Sequence, residues 1–579
     1  MSEQNPTPTP DPIVALYPEF VSLDERKGYS GYIVKPEKLY EFAAFVRDTQ
    51  GYDYLSSVTG VDYFPEDRLE IVYHAFKITG GSALVFKTFT SRENAVVPSL
   101  VPLFTGVEFQ EREIWDLYGV RFEGHPDLRR ILMWEGFAGH PLRKDWQEPF
   151  YEEEIKPYKS RTPEGRVFRI EDKNPYKNNI AYPVGFDPST ITADNEALIY
   201  AGLAKAVHPD GTLKTDSVII NLGLQHPSTH GVFCIAASLD GETIVDLKPV
   251  VGYLHRNHEK IGERNTWIGN MPYTDRLDYL SPMSNNFGYA ITVEKLTGAK
   301  PPERAEYLRV IMAEFTRICN HLMAIGTLIN DLGVYFTGML YALEERELIL
   351  DIFETVTGAR MMNNYFRFGG VVRDLPEGVL RRIKEIVFER LPRKMDELDI
   401  YVTGNEIIKE RCQGVGVLTP EQAIANSVTG PVLRASGVPY DVRRAEPYSI
   451  YDRFEFDIPV RYHGDTFDRY LIRMDEIRQS TSIIQQAVKS IPDGPILAGK
   501  PQYIVRVPPG ESYGRVEGPK GELGFYVVSN GKANHWRYHV RAPSLINLTP
   551  LAAMCRGHKV ADVVIILGSI DIVLGETDR

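Results

Sequence analysis

Cysteine is scarce in this chain, and the few cysteines stand far apart. The four of them, among 579 residues, are Cys234, Cys319, Cys412 and Cys555, and no two form a CxxC pair. Iron–sulfur clusters and disulfide frameworks need cysteines at close, regular spacings. We therefore expect neither in this chain, and we expect a protein of a reducing compartment.

Basic runs, nucleotide loops and membrane spans are lacking as well. The 65 Lys and Arg residues against 78 Asp and Glu give a net charge of −13, which argues against nucleic acid as the main partner. Neither GxGxxG nor GxxxxGK(S/T) occurs, so no nucleotide site of these kinds is predicted. The longest apolar stretch, 322–343, carries Asn330 and Asp331 in its middle. It falls short of the ~20 apolar residues of a span, so we expect a buried core segment and a protein that is soluble by itself.

Composition divides the chain into parts. Residues 1–12 are rich in Pro and Thr and are predicted to form a disordered tail. Residues 13–146 are expected to form a small α/β domain, 147–215 a polar linker, and 216–579 a second domain. In the first domain we expect one helix and three strands, at 35–47, 54–63, 69–78 and 82–90.

The second domain is predicted to be a mostly α-helical bundle with peripheral β hairpins, which makes the fold class of the whole chain α+β. Pro301-Pro302 opens a helix, because proline is tolerated in a first helical turn. Apolar residues then recur every three or four positions from 308 to 329. Further helices are expected at 335–357 and 469–491, and a hairpin turn at 529–531.

Residues 111–146 combine dense charge with glycine and tryptophan. A GHP–LR pattern occurs twice, and the tryptophans are Trp115, Trp134 and Trp146. A solvated loop face is one interpretation. Mixed Arg/Trp surfaces are typical of interface hot spots, so we favour a segment that docks onto another subunit.

Residues 221–232 are expected to form the turn of a strand–loop–strand unit with two imidazoles, His226 and His230. A zinc site of the HExxH type needs a helix, and Pro227 and Gly231 oppose a helix here. Proton and hydrogen-bond chemistry is therefore favoured, with a metal site and a purely structural role as the alternatives.

Several motifs resemble those of respiratory complex I, the proton-pumping NADH:quinone oxidoreductase. Residues 111–146 resemble its 30-kDa (C-type) subunit, and the chain from 216 onward resembles its 49-kDa (D-type) subunit. The second resemblance is carried by QHPSTHG, GYLHR, PYTDRLDY and GPKGE, at 225–231, 252–256, 272–279 and 518–522. The chain thus resembles a fused C/D subunit of bacterial complex I. The second domain is also similar to the large subunits of nickel–iron hydrogenases, but these hold their metals with two CxxC pairs, which this chain lacks.

The resemblance to complex I implies a quinone-reduction site. Quinone reduction takes up protons as well as electrons, and His and Tyr are suitable proton donors. The family positions imply that His230 and Tyr279 bind the headgroup, that Asp331 orients His230, and that His226 and Gly231 belong to the same loop. The alternative for Asp331 is that it only ends a helix, with Gly333 terminating that helix, and has no link to His230.

Two positions are implied to lie beside the terminal 4Fe–4S cluster of a partner subunit, namely Arg256 and Met362. A surface salt bridge is the alternative for Arg256. Many relatives have a histidine where Met362 stands, and methionine offers the cluster no titrating charge. We therefore predict a lower, less pH-dependent cluster potential, suited to a low-potential quinone such as menaquinone. Asn257 replaces a family glycine, and asparagine tolerates the left-handed backbone that such a turn needs.

The resemblance also implies cofactors and partners. This chain would bind no cofactor alone; electrons would come from FMN and 4Fe–4S clusters in partner subunits, with quinone as the substrate. The implied partners are the B-, I- and G-type subunits and the membrane H-type subunit, at the cytoplasmic side of the cell inner membrane, where quinone reduction is coupled to proton pumping. The isolated chain is expected to be inactive. A structural scaffold without site chemistry is the alternative from another class.

Overall fold

The computed structural model describes residues 11–134, 136–147, 202–208, 211–212, 217–223, 231–334 and 337–579, with the short pieces 151–152 and 180–181 and single residues 200 and 214. Most of the predicted linker, and the predicted tail except its last two residues, lie outside these ranges. Within them, no helix combines the length and the apolar character that crossing a bilayer requires.

The first domain is built on a five-stranded sheet in the order β1-β2-β5-β4-β3. Its strands are β1 (Val21–Leu23), β2 (Tyr32–Val34), β3 (Tyr54–Asp62), β4 (Leu69–Phe76) and β5 (Leu84–Thr90). β2 and β5 are parallel and the other neighbours are antiparallel. The helix Leu39–Asp48 buries Phe42, whose ring lies 5.6 Å from that of Phe86 on β5. The helix and the three strands predicted here are confirmed.

Two pairs of short strands follow in the chain. β6 (Val96–Pro98) runs parallel to β7 (Arg121–Glu123), with the helix Glu108–Tyr118 between them in sequence, and β8 (Tyr151–Glu152) pairs with β9 (Ile180–Ala181).

The second half contains two three-stranded sheets, a small two-stranded ribbon and most of the helices. The strands are β10 (Ser217–Gly223), β11 (Cys234–Asp240), β12 (Thr243–Val250), β13 (Phe366–Arg367), β14 (Gly370–Val371), β15 (Gly510–Gly518), β16 (Gly521–Ser529) and β17 (Arg537–Arg541). The helices of eight or more residues are Trp267–Thr274, Pro282–Thr297, Glu303–Asp331, Thr337–Thr357, Leu391–Leu398, Thr466–Ser490 and Val560–Ile570. The mixed α+β class is confirmed, and so are the three long helices predicted from periodicity. The hairpin expected at 529–531 exists, but its loop runs on to Arg537.

The long central helix, Glu303–Asp331, is buried on nearly all sides along most of its length. Its apolar stripe is buried as predicted, and so are the polar residues Glu314, Arg317 and His321 on its other faces. Glu314 bonds Arg443 at 3.1 Å, and His321 bonds Glu476 at 2.8 Å. Because Arg443 balances the charge of Glu314 and Glu476 hydrogen-bonds His321, the helix can lie in the interior.

Many charged side chains of the segment 111–146 form hydrogen bonds and ion pairs within this chain. The carboxylate of Asp116 accepts the backbone N–H groups of Ile131, Leu132 and Met133 at 3.1, 2.8 and 2.9 Å. Part of the charge in the segment that was predicted to dock onto another subunit therefore orders the loop of that same segment. Trp134 remains on the surface, with 37% of its area exposed.

The two halves meet along strand β3, which is buried over its whole length. Arg537 on β17 donates to the carbonyl oxygen of Gly60 at 2.8 Å, and Arg541 donates to that of Ser56 at 3.2 Å. Side chains of the second half thus satisfy the backbone of the first, so the halves share one interior.

Candidate functional site

The loop expected to carry the two histidines connects a confirmed hairpin. β10 and β11 pair antiparallel, with Gly223 opposite Cys234. His226 and His230 lie outside the described residues. Gly231 has a φ of 114°, and a Cβ built there would lie 3.4 Å from Leu574 Cδ1. The end of the loop therefore rests against the segment 571–579.

Tyr279 lies in a tight turn held by the carboxylate of Asp278. One carboxylate oxygen accepts the backbone N–H groups of Leu280 at 3.1 Å and Ser281 at 3.3 Å, and the other accepts the Ser281 hydroxyl. Asn285, in the following helix, donates to the carbonyl oxygen of Asp278 at 3.0 Å. The backbone on both sides of Tyr279 is thereby fixed, while its side chain stays half-buried.

A buried cation lies behind this turn. Lys520, in the tight β15–β16 turn, donates to Asp278 at 2.9 Å and to Asn320 of the central helix, and its Nζ is 3.7 Å from Asp571. Asn320 in turn donates to Asp571 at 2.7 Å. These four side chains, with 1–4% of their areas exposed, form what we call the lysine cluster.

The environment shifts the titration of groups in and beside the lysine cluster. Burial by itself lowers the pKa of Lys520, but Asp278, Asp571 and Glu576 outweigh it and hold the pKa above its ordinary value. Burial, and then repulsion from Asp278, raise the pKa of Glu576. Burial also raises the pKa of Tyr279, with Asp278 acting in the same direction and Lys520 and Arg256 opposing it. Tyr279 is therefore a neutral hydrogen-bond donor at physiological pH.

Arg256 lies beside Tyr279 with an exposed side chain. Its guanidinium donates to the carbonyl oxygens of Arg276 at 2.6 Å and Gly575 at 2.8 Å. Gly575 must be glycine, because a Cβ there would clash with the carbonyl oxygen of Leu277. Both of these hydrogen bonds go to backbone carbonyl groups, and burial lowers the pKa of Arg256 while the Asp578 carboxylate opposes that shift.

Asn257 adopts the left-handed conformation expected where the family has glycine. Its φ and ψ are 58° and 28°, and it precedes the short helix His258–Arg264. Asn257 therefore has the left-handed backbone that was predicted for it.

Asp331 is the last residue of the central helix and is half-buried. Gly333 follows with a φ of 87°. A carboxylate is disfavoured at the C-terminal end of a helix by roughly 0.3–1 kcal/mol, because the helix dipole is negative there. The helix end therefore does not by itself explain an acidic residue at this position. Its expected partner His230 lies outside the described residues.

Met362 belongs to the loop after the helix Thr337–Thr357 and has a φ of 55°, which is strained for a methionine. Two residues on, the backbone N–H of Asn364 donates to Asp275 at 3.0 Å. Asp275 is fully buried, and burial raises its pKa to about 7, although bonds from Asn286 and Asn364 lower it. A group that titrates near neutral pH thus joins the Met362 loop to the Tyr279 turn.

The lysine cluster does not follow from the sequence patterns. GPKGE contributes to the resemblance, but it points to no role for Lys520, and no motif given above includes Asp571. A lysine in a Gly-Pro-Lys-Gly turn would ordinarily be expected at the surface, so the sequence offers no local signal for its burial.

The cysteines do not form a metal site. None of the four belongs to a group of three potential ligands within the described ranges. Burial raises the pKa of the Cys319, Cys412 and Cys555 thiols to about 12, so these thiols are protonated. The first observation opposes a hydrogenase-type metal site, which needs several cysteine ligands close together.

Comparisons with known proteins define the class. Residues 32–152 match the family model of the 30 Kd subunit of respiratory-chain NADH dehydrogenase, and 331–506 with 502–579 match that of the 49 Kd subunit. The chain is 58% identical to a D-type subunit of the NADH-quinone oxidoreductase of Roseiflexus sp. (strain RS-1) over 375 residues, which cover 63% of this chain and 100% of the relative.

Fused relatives match most of the chain. The C/D-type subunit of the NADH-quinone oxidoreductase of Methylococcus capsulatus is 38% identical over 542 residues, 90% of this chain and 87% of the relative. The corresponding fused protein of Nitrosospira multiformis is 36% identical over 539 residues, 89% and 84% respectively. The chain belongs to the family of fused C/D subunits of NADH-quinone oxidoreductase, a multisubunit electron-transport enzyme.

Proposed function

We propose that this chain forms part of the quinone-reduction site of the complex. The observation that carries the proposal is the setting of Tyr279. A neutral phenol stands half-exposed on a turn that is fixed by Asp278, with the lysine cluster behind it and the Arg256 guanidinium beside it. Such a phenol can donate to a headgroup carbonyl without moving, because its backbone is already ordered.

Protons for the quinol come from residues of this chain in the proposal. Tyr279 donates a hydrogen bond to one carbonyl oxygen, and as electrons arrive the oxygen becomes basic enough to take the proton. Lys520 stabilises the phenolate that remains, because it opposes the burial that disfavours that charge. His230 is proposed to serve the other oxygen and Asp331 to orient its imidazole, with His226 and Gly231 in the supporting loop.

Electrons enter from partner subunits in the proposal. The exposed side chain of Arg256 and the Met362 loop face the terminal 4Fe–4S cluster of a B-type partner, while FMN and further clusters belong to the remaining peripheral subunits. An H-type membrane partner provides the rest of the pocket at the cytoplasmic side of the membrane, and proton pumping follows from quinone chemistry there. In this view 13–146 is the C-type domain, 147–215 the linker and 216–579 the D-type domain, with a hydrogenase-like ancestry.

A scaffold without site chemistry is the second candidate. It is favoured by the large number of buried ion pairs that join distant segments, such as those of Glu314 and Lys520.

Tyr279→Phe, assayed in the whole complex, separates the two candidates. Removing only the hydroxyl should leave assembly and NADH oxidation by an artificial acceptor intact, but lower quinone reduction by about 100-fold, since a positioned proton donor contributes roughly 10²–10⁴. Tyr462→Phe, at a tyrosine with 81% of its area exposed, is the matched control. Unchanged quinone reduction in Tyr279→Phe would leave the scaffold as the better account.

A further inference from the structure

A buried ionic group joins the two halves beside Arg256. It contains Glu113 from the helix Glu108–Tyr118 and Glu259, Arg537, His539 and Arg579 from the second half, each with 1–6% of its area exposed. Arg537 lies 2.7 Å from Glu259, His539 lies 2.9 Å from Glu259, and Arg579 bonds Glu113.

Glu113, Glu259 and His539 could suggest a metal site, because their ligand atoms lie within 4.8 Å of one another. Each carboxylate, however, already holds a guanidinium. The two carboxylates and the two arginines cancel in charge, so a cation would have to displace an arginine into a dry interior. The group is an ionic joint.

Arg579 links this joint to Arg256. Its backbone carbonyl oxygen accepts the N–H groups of Arg256 and His258, both at 3.1 Å. The preceding residue, Asp578, accepts the N–H of Leu254 at 2.7 Å on its carboxylate. Residues 578–579 thus accept hydrogen bonds from the backbone on both sides of Arg256, and the side chain of Arg579 connects them to the ionic joint.

Glu113 is the carboxylate that holds that side chain. A second carboxylate, that of Glu259, is 3.5 Å away and is shared with Arg537 and His539. Arg579 also donates to the carbonyl oxygen of Val540 at 2.7 Å, but a neutral carbonyl does not balance a buried charge.

We propose that Glu113, a residue of the first half, is a positioning residue for Arg256, acting through Arg579. The first half, to which the proposed function assigns no reacting group, would thereby set the geometry of the guanidinium that faces the partner subunit's cluster. The inference rests on the proposed place of Arg256 beside that cluster.

The test uses Glu113→Gln and Glu113→Asp in the whole complex, with Glu108→Gln as the control. Glu108 lies on the same helix, and its ion pair with Arg112 is longer, at 3.7 Å. For each variant, the amount of complex, the EPR spectrum and midpoint potential of the terminal cluster, and the KM and kcat for quinone are measured. We expect Glu113→Gln to change the EPR spectrum and to raise the quinone KM several-fold. Glu113→Asp, which keeps the carboxylate, should stay close to the wild type in both measurements. Glu108→Gln should match the wild type.

A smaller amount of complex with an unchanged spectrum and KM per complex would overturn the inference, because a merely structural joint behaves in that way. If Glu113→Gln does not assemble, the double variant Glu113→Gln with Arg579→Gln removes both charges together, and a wild-type spectrum there would also overturn it. A changed spectrum in Glu113→Gln, together with normal quinone reduction in Tyr279→Phe, would retain the positioning role and reject the proposed quinone site.

Discussion

Replacing Lys520 with methionine tests the lysine cluster. The change keeps a long side chain but removes the charge, so the buried carboxylates of Asp278 and Asp571 lose the ammonium group that they share. Lys520 Nζ lies 2.9 Å from one carboxylate and 3.7 Å from the other. With an effective dielectric constant of ~20, each attraction is worth roughly 4–6 kcal/mol before the desolvation of the ammonium group is counted.

Desolvation offsets much of that attraction, so the net cost is better taken from buried pairs that lose one partner, about 3–5 kcal/mol. We expect Lys520→Met to lower stability by that amount and quinone reduction with it, because the turn that carries Tyr279 loses its support. The measurement is thermal inactivation of the purified complex, followed by quinone reduction.

Two further variants make the result specific. Lys532→Met, at an exposed lysine in the β16–β17 loop, should behave as wild type. Adding Asp278→Asn to Lys520→Met should recover about half of the lost stability, because one of the two unpaired carboxylates is then neutral. If Lys520→Met inactivates at the same temperature as Lys532→Met, the reasoning about the buried cation is refuted.

Three other predictions concern titration and redox behaviour. Burial raises the pKa of Asp275 to about 7 in the folded protein, above its unfolded value near 4. Its protonated form therefore stabilises the fold fully below pH ~4, and this stabilisation is lost as the pH rises to 7. We expect the melting temperature of Asp275→Asn to depend less on pH between 5 and 8 than that of the wild type. Burial raises the pKa of Glu111 to about 8, so Glu111→Gln should be more stable than wild type at pH 8 by on the order of 1–3 kcal/mol, and equal stability would contradict this. Met362→His should give the partner's cluster a steeper pH dependence of its midpoint potential in a redox titration, whereas a steep dependence already present in the wild type would count against the role given to methionine.

Local patterns predict the elements well. The apolar stripe from 308 to 329 locates the central helix, and the proline pair locates its beginning at Glu303. The left-handed Asn257 follows from the conformational tolerance of asparagine. These features depend on neighbours in sequence, which periodicity and turn chemistry describe.

Long-range pairing cannot be predicted in this way. Glu314 and Arg443 are 129 positions apart, and Lys520 and Asp278 are 242 apart. Periodicity marks such residues only as polar, so it does not show that they are buried or which residues they pair with. For the same reason, it assigns the charge of 111–146 to an interface with a partner, although much of that charge is satisfied within this chain.

The most direct measurement is the structure of the assembled complex with a bound short-chain quinone. The account predicts a headgroup oxygen within hydrogen-bond reach of the Tyr279 hydroxyl, about 2.6–3.2 Å away. It also predicts that Arg256 lies on the side of the partner's cluster. A headgroup bound elsewhere, with Tyr279 facing protein alone, would contradict the assignment of this turn as the quinone site.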